Sequence, residues 1–301
     1  MDARPGLVIL RSCGRWRPAP PLFAPAPDPG TQPLLLPMNL GLENKVVIIT
    51  GGAKGIGAAI TRAFAAEGAV ACIFGRNRDE AAALVAEIAA QGGRAESHHC
   101  EMTDEPAVRA AVAAVRAKHG RIDVVVNNAG VNDGVGLHSS VADFRASLEK
   151  NIVQCFVLVQ AALDALIASQ GAIINIGSKC SVTGQGGTSG YVAAKGAMNG
   201  LTREWALDLA KHGIRVNCVL PAEVMTPLYE RWLSTRPDPA ASLAAIKATI
   251  PLEHRMTTAE EIAATVVFTA SPRASHTTGQ ILYVDGGYVH FDRACTTKAS
   301  T

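Results

Sequence analysis

From Met38 onward the chain alternates between two kinds of segment. Short runs rich in β-branched residues, at 46–50, 70–74, 95–99, 124–127, 172–176, 215–219 and 281–284, lack the polar alternation of a sheet with one wet face. Each is therefore expected to be a strand covered on both sides. Ala-rich segments with helical periodicity fill most of the intervals. Strand and helix in alternation generate parallel pairs joined by helical crossovers. This pattern predicts an α/β architecture in which a doubly wound, seven-stranded parallel sheet carries helices on both faces, in one domain over residues 38–301. The most apolar helical stretch, 151–168, is interrupted by Gln154, Gln160 and Asp164. It reads as a helix buried on several sides within a protein or oligomer.

Residues 1–37 break the pattern. They hold nine prolines and four arginines with no apolar period, and are expected to be a disordered extension, or translation from a mis-set start, outside the fold. The longest uninterrupted apolar runs fall short of the ~18 residues that span a bilayer, so no membrane partner is expected. With 48% hydrophobic and 18% charged residues the chain is not intrinsically disordered, and a formal charge of +2 offers no basic surface for nucleic acid. The seven cysteines (Cys13, Cys72, Cys100, Cys155, Cys180, Cys218, Cys295) are scattered and odd in number. That disfavours a disulfide framework or zinc site and fits a reducing, cytoplasmic compartment. No metal is expected, and His98 and His99 are read as closing the third strand.

Chemistry enters at Thr50-Gly51-Gly52-Ala53-Lys54-Gly55-Ile56-Gly57, between the first strand and the first helix. Missing Cβ atoms permit a tight turn, and the free N–H groups of a helix start favour a pyrophosphate. Further along stand Asn127-Asn128-Ala129-Gly130 after the fourth strand, Asn151 in a long helix and Ser178 after the fifth strand. Tyr191-Val192-Ala193-Ala194-Lys195 opens the next helix, with Tyr191 thirteen residues beyond Ser178. In this order the motifs resemble the classical short-chain dehydrogenase/reductase family over residues 40–290, including 221–227 and the closing Val284-Asp285-Gly286-Gly287. The resemblance implies a Rossmann-type sheet, a nicotinamide cofactor and a homotetramer.

Tyr191 and Lys195 are four apart and share one helical face. A phenol with an unperturbed pKa of about 10 is a poor base, but an adjacent ammonium favours the phenolate, making Tyr191 the candidate general base. The resemblance implies that Ser178 donates to the substrate oxygen and that Asn151 holds a water relaying protons to Lys195. It also implies cofactor contacts at Gly51, Gly55, Ile56, Gly57, Glu101, Met102, Asn128, Ala129, Gly130, Tyr191, Lys195, Val224 and Thr226. Glu101 and Met102 would lie near adenine and Thr226 near the nicotinamide amide. Where a carboxylate selecting NAD would stand, the chain has Gly75 followed by Arg76, with Lys54 in the glycine loop. A guanidinium fork and an ammonium suit a 2′-phosphate, which favours NADP, with NAD as the alternative.

More local segments, Val131-Asn132-Asp133-Gly134, 178–186, 223–228 and 271–276, resemble a bacterial L-fucose dehydrogenase branch of the family. A sugar needs directional donors and acceptors, and Asn132, Asp133, Lys179, Gln185 and Glu223 on loops after strands could supply them. The expectation is NADP-dependent oxidation of the anomeric hydroxyl of L-fucose or a related aldose to the lactone. NADPH-dependent reduction of a keto group on an acyl or other small substrate is the alternative. A non-enzymatic dinucleotide sensor is a third reading, disfavoured by the intact Asn151, Ser178, Tyr191 and Lys195.

Overall fold

The computed structural model describes residues 38–290. The expectation for residues 1–37 lies outside them. Residues 40–301 cluster as one unit and residues 1–39 as another, of which only Met38 and Asn39 are described.

Seven strands, β1 (Val46–Thr50), β2 (Val70–Gly75), β3 (Arg94–His99), β4 (Val124–Asn127), β5 (Ala172–Ile176), β6 (Arg215–Pro221) and β7 (Ile281–Val284), form one parallel sheet in the order β3-β2-β1-β4-β5-β6-β7. Between them run α1 (Gly55–Ala66), α2 (Arg78–Ala90), α3 (Glu105–His119), α4 (Val141–Leu148), α5 (Gln154–Ser169), α6 (Ser189–Ala210), α7 (Pro227–Ser234), α8 (Pro239–Ala248) and α9 (Ala259–Ala270). The two-residue period of a strand explains the layering. In β1, Val46 and Ile48 enter the core with Val112 of α3, Leu158 of α5 and Trp205 of α6. Val47 and Ile49 face the opposite core, with Ile60 and Phe64 of α1 and Val266 of α9. Both faces of the sheet are thus covered, as the apolar strands require.

The expectation that no strand carries polar alternation fails at β3. This strand pairs only with β2 and leaves Arg94, Ser97 and His99 exposed. An edge strand has solvent at its flank, so its polar residues need no burial. The long apolar helix also differs from its expected bounds. It runs continuously over Val141–Ser169, with a π-helical turn at Glu149–Val153 between α4 and α5. By length and composition it could cross a membrane. Its apolarity is accounted for by Leu158, Ala162 and Leu166, which are fully buried in the core.

Asp123, immediately before β4 and 4% exposed, ties the N-terminal ends of the central strands together. Its carboxylate accepts from Lys45 Nζ (3.2 Å), the Val46 N–H (2.9 Å) and Arg121 Nε (2.7 Å). Burial alone would raise its pKa, but the Arg121 and Val46 hydrogen bonds and the Lys45 charge hold it below its ordinary 3.8. A depressed folded pKa contributes stability that is present above the unfolded value and lost as pH falls through the folded one. Thermal unfolding from pH 7 down to about pH 2 is therefore expected to show a steeper acid loss in the wild type than in Asp123→Asn. That variant should be less stable at pH 7 by about 1–3 kcal/mol. Parallel acid profiles would show that Asp123 carries no such linkage.

Candidate active site

The strand order reverses between β1 and β4, so the chain leaves their carboxyl ends in opposite directions and opens a crevice there. A cavity of about 900 Å³ occupies it. Its walls include the glycine loop 51–57, residues 75–78, 100–103 and 128–131, Ser178, Tyr191, Lys195 and the 221–228 segment.

Side chains that the motif left without a role hold this crevice open. Thr50 Oγ1 accepts from the N–H groups of both Asn128 and Ala129 (2.9 Å each), and Asn128 Nδ2 donates to Thr50 O (2.8 Å). The hydroxyl of Thr61 lies 2.9 Å from the carbonyls of both Gly52 and Gly57, pinning the loop to α1. Gly51 (φ 62°) and Gly55 (φ 54°) occupy the left-handed region. A Cβ on Gly57 would fall 2.2 Å from Gly51 O and 2.7 Å from Asn128 Nδ2. The N-cap of α1, Lys54, contributes no side-chain cap, whereas α3, α4 and α9 are capped by Asp104, Ser140 and Thr258. Uncapped N–H groups facing a cavity suit the phosphates of a dinucleotide, so the residues present fit that group.

Farther along, Arg76 and Lys54 line the same cavity, and both are paired. Arg76 Nη1 lies 3.3 Å from Glu101 Oε2, and Lys54 Nζ lies 3.3 Å from Glu80. Met102 is buried in the wall, and Val224 bridges to Thr257. The Thr226 hydroxyl accepts from the Tyr229 N–H and so caps α7.

Tyr191 and Lys195 occupy successive turns of α6. Lys195 is only 3% exposed, donates from Nζ to Ile176 O (2.7 Å) and lies 5.7 Å from the centre of the Tyr191 ring. Ser178, directly after β5, accepts from the Cys180 N–H (3.3 Å) and faces the same cavity. A Cβ on Gly130 would approach Asn151 Oδ1 to 2.9 Å and Lys195 Nζ to 3.5 Å, so the bare glycine lets these two side chains converge.

The amide of Asn151 is held by backbone groups. Its Oδ1 accepts from the Val131 N–H (2.7 Å), and Nδ2 donates to Val131 O (3.0 Å) and Ser147 O (2.9 Å). Asn151 sits inside the π turn, where the helical ladder is offset, and its side chain satisfies a carbonyl four residues back. Both amide N–H groups are thus committed to backbone carbonyls. Gln154 Nε2 likewise donates to Ala129 O (3.1 Å) and Lys150 O, bracing the same loop.

The proposed sugar contacts separate. Asp133 lines the cavity, accepting from Ser147 Oγ (2.8 Å) with Lys150 Nζ at 3.6 Å. Asn132 Oδ1 is buried without a partner. Gln185 accepts from Cys180 Sγ (2.8 Å). Lys179 and Glu223 form a part-buried ion pair next in sequence to the cavity-lining Ser178 and Ala222. Two tyrosines close on this pair. Lys179 Nζ is 4.1 Å from the Tyr288 ring centre, and the Tyr229 phenol lies within the field of Glu223. Burial pushes the Tyr229 phenol well above its usual pKa, and the Glu223 charge adds to this. Burial lowers that of Lys179, but Glu223 and Tyr288 together raise it overall. Tyr288 was not singled out in the sequence; its only signal was its place beside Gly286-Gly287.

Replacing Gly57 by Ala is expected to weaken dinucleotide binding at least tenfold, because the new Cβ would collide with backbone rather than with a movable side chain. Titration of the variant by fluorescence checks this, and unchanged affinity would disconnect the loop from the cofactor.

Residues 51–289 match a family model described as enoyl-(acyl carrier protein) reductase. A 3beta-hydroxysteroid dehydrogenase of Mediterraneibacter gnavus is 34% identical, over 84% of this chain and 100% of its own. An L-fucose dehydrogenase of Bos taurus is 39% identical, over 83% and 91%. Of solved structures, the Cj0485 dehydrogenase is 46% identical with a TM-score of 0.81, covering 85% of this chain and 98% of its own. The ligand-free Thermoplasma acidophilum aldohexose dehydrogenase is 30% identical with a TM-score of 0.75, covering 83% and 96%. An actinorhodin polyketide ketoreductase with NADPH is 29% identical with a TM-score of 0.77, covering 82% and 98%. Because the match runs from the glycine loop past the last strand, and both curated relatives align over nearly all of their own length, the chain belongs to the short-chain dehydrogenase/reductase family and is an oxidoreductase that acts on CH–OH groups with a nicotinamide cofactor.

Proposed function

We propose that the protein is an NADP-dependent dehydrogenase that oxidises the anomeric hydroxyl of L-fucose or a related aldose to the lactone. The observation that supports this reading is the part-buried Lys179–Glu223 pair with Tyr229 and Tyr288, in which Lys179, Glu223 and Tyr229 are adjacent in sequence to the cavity-lining Ser178, Ala222 and Leu228. Such a cluster offers several directional donors and acceptors to a polyol, while an acyl chain or steroid would gain nothing from it. The relatedness to L-fucose and aldohexose dehydrogenases supports the same substrate class.

A bound NADP supplies the hydride acceptor. Gly51, Gly55, Ile56 and Gly57 would hold its pyrophosphate, and Asn128, Ala129, Gly130, Val224 and Thr226 would line its ribose and nicotinamide half. Glu101 and Met102 would lie beside adenine. Tyr191, as phenolate, takes the proton from the C1 hydroxyl, and Ser178 Oγ donates to that oxygen as charge develops. The Lys195 ammonium, fixed by Ile176 O, stands 5.7 Å from the centre of the Tyr191 ring. Asn151 acts as a positioning residue, holding Val131 and the floor beneath Lys195.

The preference for NADP rests on Arg76, which pairs only with the exposed Glu101 among the described residues. An exposed pair of this kind contributes about 0–1 kcal/mol, so Arg76 can exchange it for a phosphate at little cost. A Cβ at Gly75 would meet nothing within 4 Å, so a carboxylate can be installed there without a clash. A second reading, NADPH-driven reduction of a keto group on an acyl or other small substrate, uses the same catalytic residues. It is favoured by the exposed Met225, Leu228 and Trp232, which give the 221–234 segment an apolar surface.

Initial rates across an aldose panel and acetoacetyl thioesters, with NADP and NAD measured separately, test the reading. Oxidation of L-fucose or D-arabinose is expected. Thioester reduction without aldose oxidation would transfer the assignment to the second reading, and cofactor binding without any turnover would indicate a sensor. Tyr191→Phe should lower kcat by about 10²–10⁴-fold while NADP still binds. Gly75→Asp and Arg76→Ala should each reduce the NADP-to-NAD preference at least tenfold, and an unchanged ratio in both would reject the assignment to NADP.

A further inference from the structure

On the opposite side of β2 from α1, a cysteine, a glutamate and two histidines from three elements converge on one atom. Cys72 of β2 is fully buried and stands opposite Glu96 of β3 in the sheet register. His98 follows two residues later on the same face of β3, and His119 closes α3 above them. Glu96 Oε1 lies 2.8 Å from His98 Nε2, 3.0 Å from His119 Nε2 and 3.6 Å from Cys72 Sγ. The Sγ, carboxylate oxygen and His119 nitrogen all fall within 4.8 Å of one another.

A carboxylate oxygen has two lone pairs, and here three donors compete for one such oxygen. The crowding leaves the thiol as the long contact. We propose that Cys72, Glu96 and His119 form a binding site for a thiophilic divalent cation of the Zn²⁺ class, with His98 placed to complete the coordination.

The chemistry fits on three counts. Zn²⁺ binds thiolate sulfur at about 2.3 Å and imidazole nitrogen or carboxylate oxygen at about 2.0–2.2 Å, so ligand atoms of a tetrahedral site lie roughly 3.3–3.6 Å apart. From a spread of 4.8 Å or less, side-chain shifts on the order of an ångström close that geometry. Second, a thiolate and a carboxylate together neutralise the dication in a site whose side chains are at most 18% exposed. Third, Lys118 bonds the outer oxygen, Glu96 Oε2, and so orients Oε1 inward, as outer partners of metal ligands do. A cation here would clip the edge strand β3 to β2 and to the end of α3, just below the residues that lead into Glu101 and Met102.

The test uses the full-length protein, stripped with chelator and titrated with Co²⁺ and separately with Zn²⁺. Expected are a thiolate-to-cobalt charge-transfer band saturating at one equivalent and a rise in Tm with Zn²⁺. Cys72→Ser should abolish the band, while Glu96→Gln and His119→Gln should each weaken binding at least tenfold with NADP affinity retained. The two glutamine variants keep the test informative if Cys72→Ser fails to fold. No stoichiometric band in the wild type would overturn the site. A band that survives in Cys72→Ser but vanishes in Cys13→Ser/Cys295→Ser, or affinities unchanged by both glutamine variants, would overturn it as well.

Discussion

An ammonium group that is almost wholly withdrawn from water has to be satisfied by its surroundings, and the Lys195 side chain organises the reacting end of the molecule around that requirement. Its hydrogen bond goes to the carbonyl of Ile176, the last residue of β5, so α6 is locked to the end of the strand that carries Ser178. Tyr191, one turn earlier, inherits its position from that lock. Gly130 supplies the space, since any side chain there would push against both Lys195 and Asn151. Lys195, Tyr191 and Ser178 are therefore brought together around one buried charge.

The crevice in which they sit depends on a second set of polar contacts. Thr50 receives two N–H groups from the loop after β4, and Thr61 holds the glycine loop against α1. These bonds connect segments that the sheet topology sends apart and so define the walls of the cavity. At the far end the cations are held loosely, each by a single exposed carboxylate. Rigid walls around the reacting atoms and exchangeable charges around the adenosine end suit a site where chemistry demands fixed geometry and recognition demands exchange of partners.

Much of this arrangement was legible from residue order. Strands β1, β4, β5 and β7 have the bounds that their apolar runs indicated, and β2 and β6 merely run on to Gly75 and Pro221. Misreadings arose where a residue's surroundings, rather than its own pattern, set the outcome. β3 tolerates polar side chains because it lies at the sheet edge, a fact that depends on strand order. The long helix extends back to Val141 because the Asn151 amide repairs an offset in its ladder. The bonds of the Asn151 amide to Val131 and Ser147 were not legible in the sequence, because the π turn that sets them is a feature of the folded helix.

The sequence alone determined the alternation of strands and helices, the glycine turn and the shared face of Tyr191 and Lys195, because each depends on short-range periodicity or on steric demands within a few residues. Tertiary structure decided which polar groups meet. Lys179 finds Glu223 across 44 positions, and Cys72 finds Glu96 and His119 across three elements. Such meetings follow from strand register and crossover geometry, which the whole sheet sets cooperatively and no local spacing encodes.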